Sequence, residues 1–238
     1  MNTQILPITG IPVGQIPPAV IVCGDPDRAV QVSNHLDEAR LISQHREYVC
    51  YGGDFEGMPV AVCSHGIGAA GAAIAFEELV YAGGRQIVRV GTCGALQPGI
   101  RSGHLIIASA SVMRSGYGRE MVPEGYPAVA DLYLTMALDE AAESFGQPYD
   151  RGIVLTRDAF YQGVDPCAGP DYQKMSEANV KAVEMECGAL FIVGSLRGVQ
   201  TGAILAVDGN VLESAESIDS YDPGQTSVKA AVEAEIES

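Results

Sequence analysis

Positive charge is scarce in this chain. Across 238 residues, 14 Lys plus Arg stand against 30 Asp plus Glu, a formal net charge of −16. Such a field repels phosphate backbones and anionic membrane surfaces, so no nucleic-acid partner and no membrane partner is expected. Long apolar runs are also missing. None approaches the length of a membrane span, and the N-terminus lacks a basic stretch followed by an apolar core. Six cysteines are scattered at 23, 50, 63, 93, 167 and 187 without a Cys-x-x-Cys pair, several inside apolar runs such as "VAVC". They read as free, buried thiols of a reduced, soluble, cytoplasmic protein. The four histidines (35, 45, 65, 104) show no metal-site spacing, so no metal is expected. Lysine is rarer than arginine: Lys174, Lys181 and Lys229 are the lysines among the 14 basic residues. Arginine is the residue of planar, bidentate oxyanion recognition, which directs attention to individual arginines.

What is present is an apolar fraction of 47%, enough for a full core, in a length that fits one α/β domain over 1–238. Short β-rich runs at 19–23, 58–64, 86–91, 103–112, 152–155, 180–186 and 202–208 read as strands, and their near-continuous apolar character implies cover on both faces. Alanine-rich stretches at 69–83, 129–146 and 185–198 carry helical spacing, all three closing on glycine. The stretch 113–129 reads as a loop over a site or a subunit contact, and "TSVKAAVEAEIE" as a last helix. The alternation predicts a mixed or mostly parallel central β-sheet flanked by helices, with ligands at the C-terminal strand edge.

Three strand ends are glycine-rich: "VIVCGDPDRA" (20–29), "CSHGIGAAG" (63–71) and "VRVGTCGAL" (88–96). Glycine there lets backbone N–H groups approach an anion, and a following helix adds a favourable dipole. Arg89 lies within an apolar run. Burying an unpaired guanidinium costs several kcal/mol, so Arg89 needs an anionic partner, either a bound anion or an internal carboxylate. Arg28 and Arg46 pose the same choice. Asp25 and Asp27 suit caps for the helix after Gly24.

"GDPDR", "HREY", "SHGIG", "EEL", "VRVGTCGALQPG", "YPAVAD" and "VEMECGAL" follow one another in the order and spacing of the nucleoside phosphorylases. The chain resembles that superfamily of purine nucleoside and uridine phosphorylases over about residues 19 to 212, in wording closest to the purine enzymes of apicomplexan parasites. The resemblance implies the mixed-sheet nucleoside phosphorylase fold, and a homo-oligomer of dimers, commonly a hexamer, with active sites shared across the dimer. It implies no cofactor, inorganic phosphate being the co-substrate.

By the same resemblance, phosphate is held by Gly24, Arg28, Arg89 and Thr92, with Arg46 donated by the neighbouring subunit. "VEMECGAL" supplies the ribose clamp: Glu186 takes the 2′- and 3′-hydroxyls, Met185 packs on sugar and base, and Glu184 points to the same side as Glu186 if the segment is a strand. Read from the residues alone, both glutamates also suit core pairing or capping. Phe160 and Tyr161 open a base-site segment in which Val164 and Pro166 stand where uridine phosphorylases carry a Gln and an Arg. Neither side chain donates a hydrogen bond. Asp208, at the end of "LAVDGN", matches an aspartate that protonates N7 of a purine, although Asp-Gly is also a common turn. The resemblance therefore favours inosine and guanosine over uridine. It favours phosphorolysis over hydrolysis by a nucleosidase, because the arginine set is complete, and catalysis over nucleoside binding alone. One departure stands out: the family's N-terminal histidine for the ribose 5′-hydroxyl is missing, and Gln4 takes its place.

Overall fold

The computed structural model describes residues 4–161, 163–164 and 169–213. Its elements run β1 (Ala19–Cys23), α1 (Pro26–Ser33), β2 (Asp37–His45), β3 (Tyr48–Phe55), β4 (Met58–Ser64), α2 (Ala69–Ala82), β5 (Gln86–Ala95), β6 (Leu105–Arg114), α3 (Gly116–Met121), β7 (Ala128–Val129), α4 (Leu132–Phe145), β8 (Tyr149–Arg157), α5 (Tyr172–Glu177), β9 (Ala182–Glu184), α6 (Cys187–Arg197) and β10 (Gln200–Asn210). Among the described residues these strands form one mixed sheet in the order β10-β6-β8-β9-β5-β1-β4-β3-β2, with β7 beside β6. β5 also pairs with β10, so β5, β10, β6, β8 and β9 close into a ring.

Apolar side chains explain the layers. Phe76 and Leu79 of α2 and Leu190, Phe191 and Ile192 of α6 are completely buried on one side of the sheet. Full burial of each such side chain stabilises by about 1.5–3 kcal/mol. Ala142 of α4 packs with Leu105, Ile107 and Ile204 on the other side, and α1 covers Val60 and Val62 with Ala29 and Val32. The strands are thus sandwiched, as their unbroken apolar runs imply. Asp25 caps α1 by accepting from the Asp27 N–H at 2.9 Å, and Asp131 caps α4 through the Leu134 N–H. α4 and α6 end on Gly146 and Gly198, both left-handed.

Several sequence boundaries move. The strand expected over 180–186 is restricted to Ala182–Glu184, because the Glu184 carboxylate takes the N–H groups of Glu186 and Cys187 and turns the chain into α6. The β2–β3 hairpin was not marked by periodicity; its outer strand is exposed over most of its length. The expected loop at 113–129 contains α3, capped by Ser115. The expected C-terminal helix lies outside the described residues. The cysteines need a correction too: Cys50 and Cys63 face each other on antiparallel β3 and β4, Cα atoms 4.2 Å apart, and are joined as a disulfide. Cys93 and Cys187 are free and buried, and Cys23 is buried with its thiol donating to the Asp25 carbonyl.

Candidate active site

The C-terminal ends of β1 and β4 and the middle of β5 converge. β1 is stitched to β4 past their last residues, His65 N–H donating to Cys23 O at 2.8 Å and Gly66 N–H to Gly24 O at 3.0 Å. In the ladder Arg89 lies between Val22 of β1 and Ala203 of β10. Its side chain curls over Gly91, where a Cβ would stand 2.4 Å from Nη1. No residue larger than glycine fits there without moving the guanidinium, which explains the glycine two residues after the arginine.

Arg89 is 3% exposed. Its Nη2 donates to Glu186 Oε2 at 2.5 Å and lies 3.5 Å from Glu184 Oε2, and its Nη1 is 3.4 Å from His65 Nε2. The internal carboxylate is therefore one partner of this buried charge. The fork is incompletely used, however: Nε of Arg89 and Nε of Arg28 are both buried without a hydrogen-bond partner among the described residues. Both guanidiniums act electrostatically on His65, Arg89 more strongly than Arg28, so two positive charges share one region of an acidic protein. A tetrahedral oxyanion satisfies such donors.

Glu186 ties three strands together. Oε1 accepts the Gly68 N–H at 2.6 Å, beyond β4, while Oε2 holds Arg89 on β5. Burial pushes its carboxyl pKa up, while the Arg89 charge pulls it down and the Glu184 charge adds to the rise; the net direction is upward. Arg89 stays charged, the carboxylates offsetting its burial. Glu184 is occupied differently. Besides the two N–H groups at the start of α6, it accepts from the Thr156 hydroxyl, which in turn receives the Gly188 N–H at 2.9 Å and lies 2.7 Å from Ser111 Oγ. Glu184 thus anchors the β9–α6 corner, and its oxygens are filled by the protein itself. Burial, reinforced by these carboxylates, drives the Cys187 thiol well up, and the Cys93 thiol likewise with Asp208 and Glu184 nearby.

Asp208 lies in β10 rather than in a turn after it. The β10–β5 register shifts between Val207, opposite Cys93, and Gly209, opposite Gly94. Asp208 is the extra residue of this bulge, half-buried just beyond the level of Cys93. Bulges re-aim a side chain out of the alternating pattern and recur beside active sites. Thr92 and Met185 are half-buried in the same region of the ladder and corner.

Other expected residues are not gathered here. Phe160 and Tyr161 are exposed beyond β8, their rings edge-to-face at 5.2 Å. Val164 is fully exposed, and Pro166 lies outside the described residues. Arg46 sits exposed at the β2–β3 turn with φ of 57°, and Gln4 is exposed near the N-terminus; neither side chain has a hydrogen bond or ion pair among the described residues. Sequence reasoning passed over His65, which lies beneath Arg89, and Thr156, which holds Glu184. His65 stood in the quoted "SHGIG"; Thr156 had no local signal.

The fold and the site define an α/β enzyme that pairs a buried arginine with a buried carboxylate and leaves Nε of Arg28 and of Arg89 without a partner among the described residues. Its sequence relationships agree: the phosphorylase superfamily matches residues 18–236, and the chain belongs to that superfamily. It is 42% identical to a uridine phosphorylase of Thermococcus kodakarensis over 83% of this chain and 74% of that protein. It is 39% identical to a purine nucleoside phosphorylase of Plasmodium vivax over 82% and 79%. Among solved structures, the purine nucleoside phosphorylase of Toxoplasma gondii in complex with immucillin-H superposes with a TM-score of 0.89 at 32% identity, covering 100% of this chain and 94% of that one.

Proposed function

We propose that the protein is a nucleoside phosphorylase acting on 6-oxopurine nucleosides, converting inosine or guanosine and inorganic phosphate reversibly into free base and ribose 1-phosphate. Phosphate occupies the cradle of Arg28 and Arg89 with the Thr92 hydroxyl and the Gly24 backbone. Arg46 comes from a neighbouring copy in a dimer-based assembly, which is a hexamer of three such dimers. Charge-assisted bonds from three guanidiniums fix the nucleophile. Glu186 accepts the ribose hydroxyls, and its charge stabilises the oxocarbenium character that develops as the bond to the base lengthens. A phosphate oxygen forms the new bond to C1′ as the C1′–N9 bond breaks. The electron pair of the broken bond passes into the base, and Asp208 delivers a proton to N7. Met185 packs against the sugar, while Phe160, Tyr161 and the neighbour's Gln4 border base and 5′-hydroxyl.

The observation that supports the purine reading is Asp208 on its bulge between the levels of Cys93 and Gly94 on β5, its charge acting on Cys93. The lack of a side-chain donor at Val164 supports it. A uridine-cleaving reading is favoured by the 42% identity to the Thermococcus kodakarensis enzyme. Phosphorolysis of inosine, guanosine, adenosine and uridine, each with and without phosphate, decides between them. Turnover of inosine and guanosine that requires phosphate is expected. Uridine-only turnover refutes the purine assignment, and base release without phosphate refutes phosphorolysis.

A further inference from the structure

His65 is completely buried at the end of β4 and has no part in the chemistry above. Its ring lies edge-to-face against Phe76 at 5.3 Å, and its Cε1 lies under Gly24, 3.9 Å from where a Cβ would stand. Nδ1 is 2.8 Å from the Gly66 carbonyl oxygen, which only accepts hydrogen bonds, so Nδ1 carries the proton. Nε2 faces Arg89 Nη1 at 3.4 Å, and a guanidinium only donates, so Nε2 is bare. Both neighbours demand the same tautomer, and a second proton would set donor against donor. The Arg89 fork is then gripped at both Nη atoms, by Glu186 on one side and by His65 on the other, which leaves Nε as the buried donor without a partner among the described residues.

We propose that His65 is a positioning residue for phosphate: as the Nδ1–H tautomer it accepts from Arg89 Nη1 and fixes the plane of the guanidinium before the anion arrives. The inference rests on the reading of the Arg89 cradle as the phosphate site. Without His65, Glu186 alone orients the fork, which then rotates toward the carboxylates and away from Gly24. The loss falls on phosphate rather than on the nucleoside.

The test compares His65→Phe, which keeps an aromatic ring against Phe76 but has no acceptor, with His65→Gln, whose amide oxygen reaches the Nε2 position. Thermal unfolding first establishes that both variants are folded. Calorimetric binding of inorganic phosphate is expected to weaken about tenfold or more in His65→Phe, with phosphate KM rising in parallel while nucleoside KM stays within twofold. His65→Gln is expected to recover most of the loss. Ring 15N resonances of the wild type are expected to report a bare Nε2 and a protonated Nδ1. Unchanged phosphate affinity in His65→Phe, equal losses in both variants, or an Nε2–H tautomer would each overturn the proposal. The binding and tautomer measurements need no turnover. A wild type that binds phosphate with the stated tautomer but cleaves no nucleoside refutes the function alone, and one that binds no phosphate refutes both.

Discussion

Replacing Arg89 with methionine keeps the length and apolar bulk of the side chain and removes its charge. In the folded protein this leaves Glu186 5% exposed, with the Gly68 N–H as its remaining donor. Glu184 suffers less, since two backbone N–H groups and the Thr156 hydroxyl already satisfy it. Breaking a buried ion pair from one side costs about 3–5 kcal/mol. Because one carboxylate bears most of the loss, a value of about 3 kcal/mol is expected in urea unfolding at pH 8. In a domain of this size that corresponds to a fall in Tm of about 6–12 °C. The cost shrinks at pH 5: loss of Arg89 raises the Glu186 pKa further, and a protonated carboxyl needs no counter-charge. Glu186→Gln in the Arg89→Met background adds little, so the double-mutant cycle gives a coupling of about 2 kcal/mol. Phosphate at a hundred times its Kd stabilises the wild type by about 2.7 kcal/mol and the methionine variant not at all. Additive single mutations, or undiminished stabilisation of Arg89→Met by phosphate, would refute the view of Arg89 as both structural counter-charge and phosphate ligand.

Asp208→Asn is expected to lower kcat for inosine phosphorolysis by about a hundredfold or more, with phosphate affinity within twofold of wild type by calorimetry. Burial, with Arg89 adding to it, holds the His65 pKa well below its ordinary value, the Gly66 carbonyl opposing and Arg28 contributing a smaller lowering. Below about pH 6.5 the unfolded chain therefore takes up a proton that the folded chain refuses. Wild-type stability falls by up to about 1.4 kcal/mol per pH unit from this group as pH drops from 6.5. Urea titrations of His65→Gln lack that component, and identical pH slopes would contradict it. If Arg46 serves the neighbouring copy, inactive Arg46→Ala and Glu186→Gln subunits, unfolded together and reassembled, regain up to about a quarter of the wild-type sites by random pairing in symmetric dimers. No regain of phosphorolysis would place Arg46 elsewhere.

The strands and glycine-rich turns of the site were legible because they combine a buried apolar run with a residue that does not belong in one. Arg89 is the clearest case, its need for an anion following from desolvation alone, with Glu186 as the internal partner. The Asp25 cap was legible for the same local reason. What the sequence hid was tertiary. Glu184 and Glu186 looked like one clamp, but the N–H groups of α6 claim the first and leave the second for Arg89. The Cys50–Cys63 pair depends on the register of the β3–β4 hairpin, which neither strand encodes by itself. Asp208 looked like the end of a strand; its place on a bulge is a property of two strands in register, which no single segment encodes.

A ring of strands has a fixed circumference. Arg89 and Thr92 on β5, Asp208 on β10 and the Glu184–Glu186 corner after β9 all hang from the closed circuit of β5, β10, β6, β8 and β9. None of them can shift along its strand without breaking rungs on both sides. The segment after β8 with Phe160, Tyr161 and Val164 hangs outside that circuit and is exposed. On the proposed function, the scaffold separates two kinds of inheritance: the hoop preserves the spacing on which bond cleavage depends, and the fringe is at liberty to change how the base is bordered.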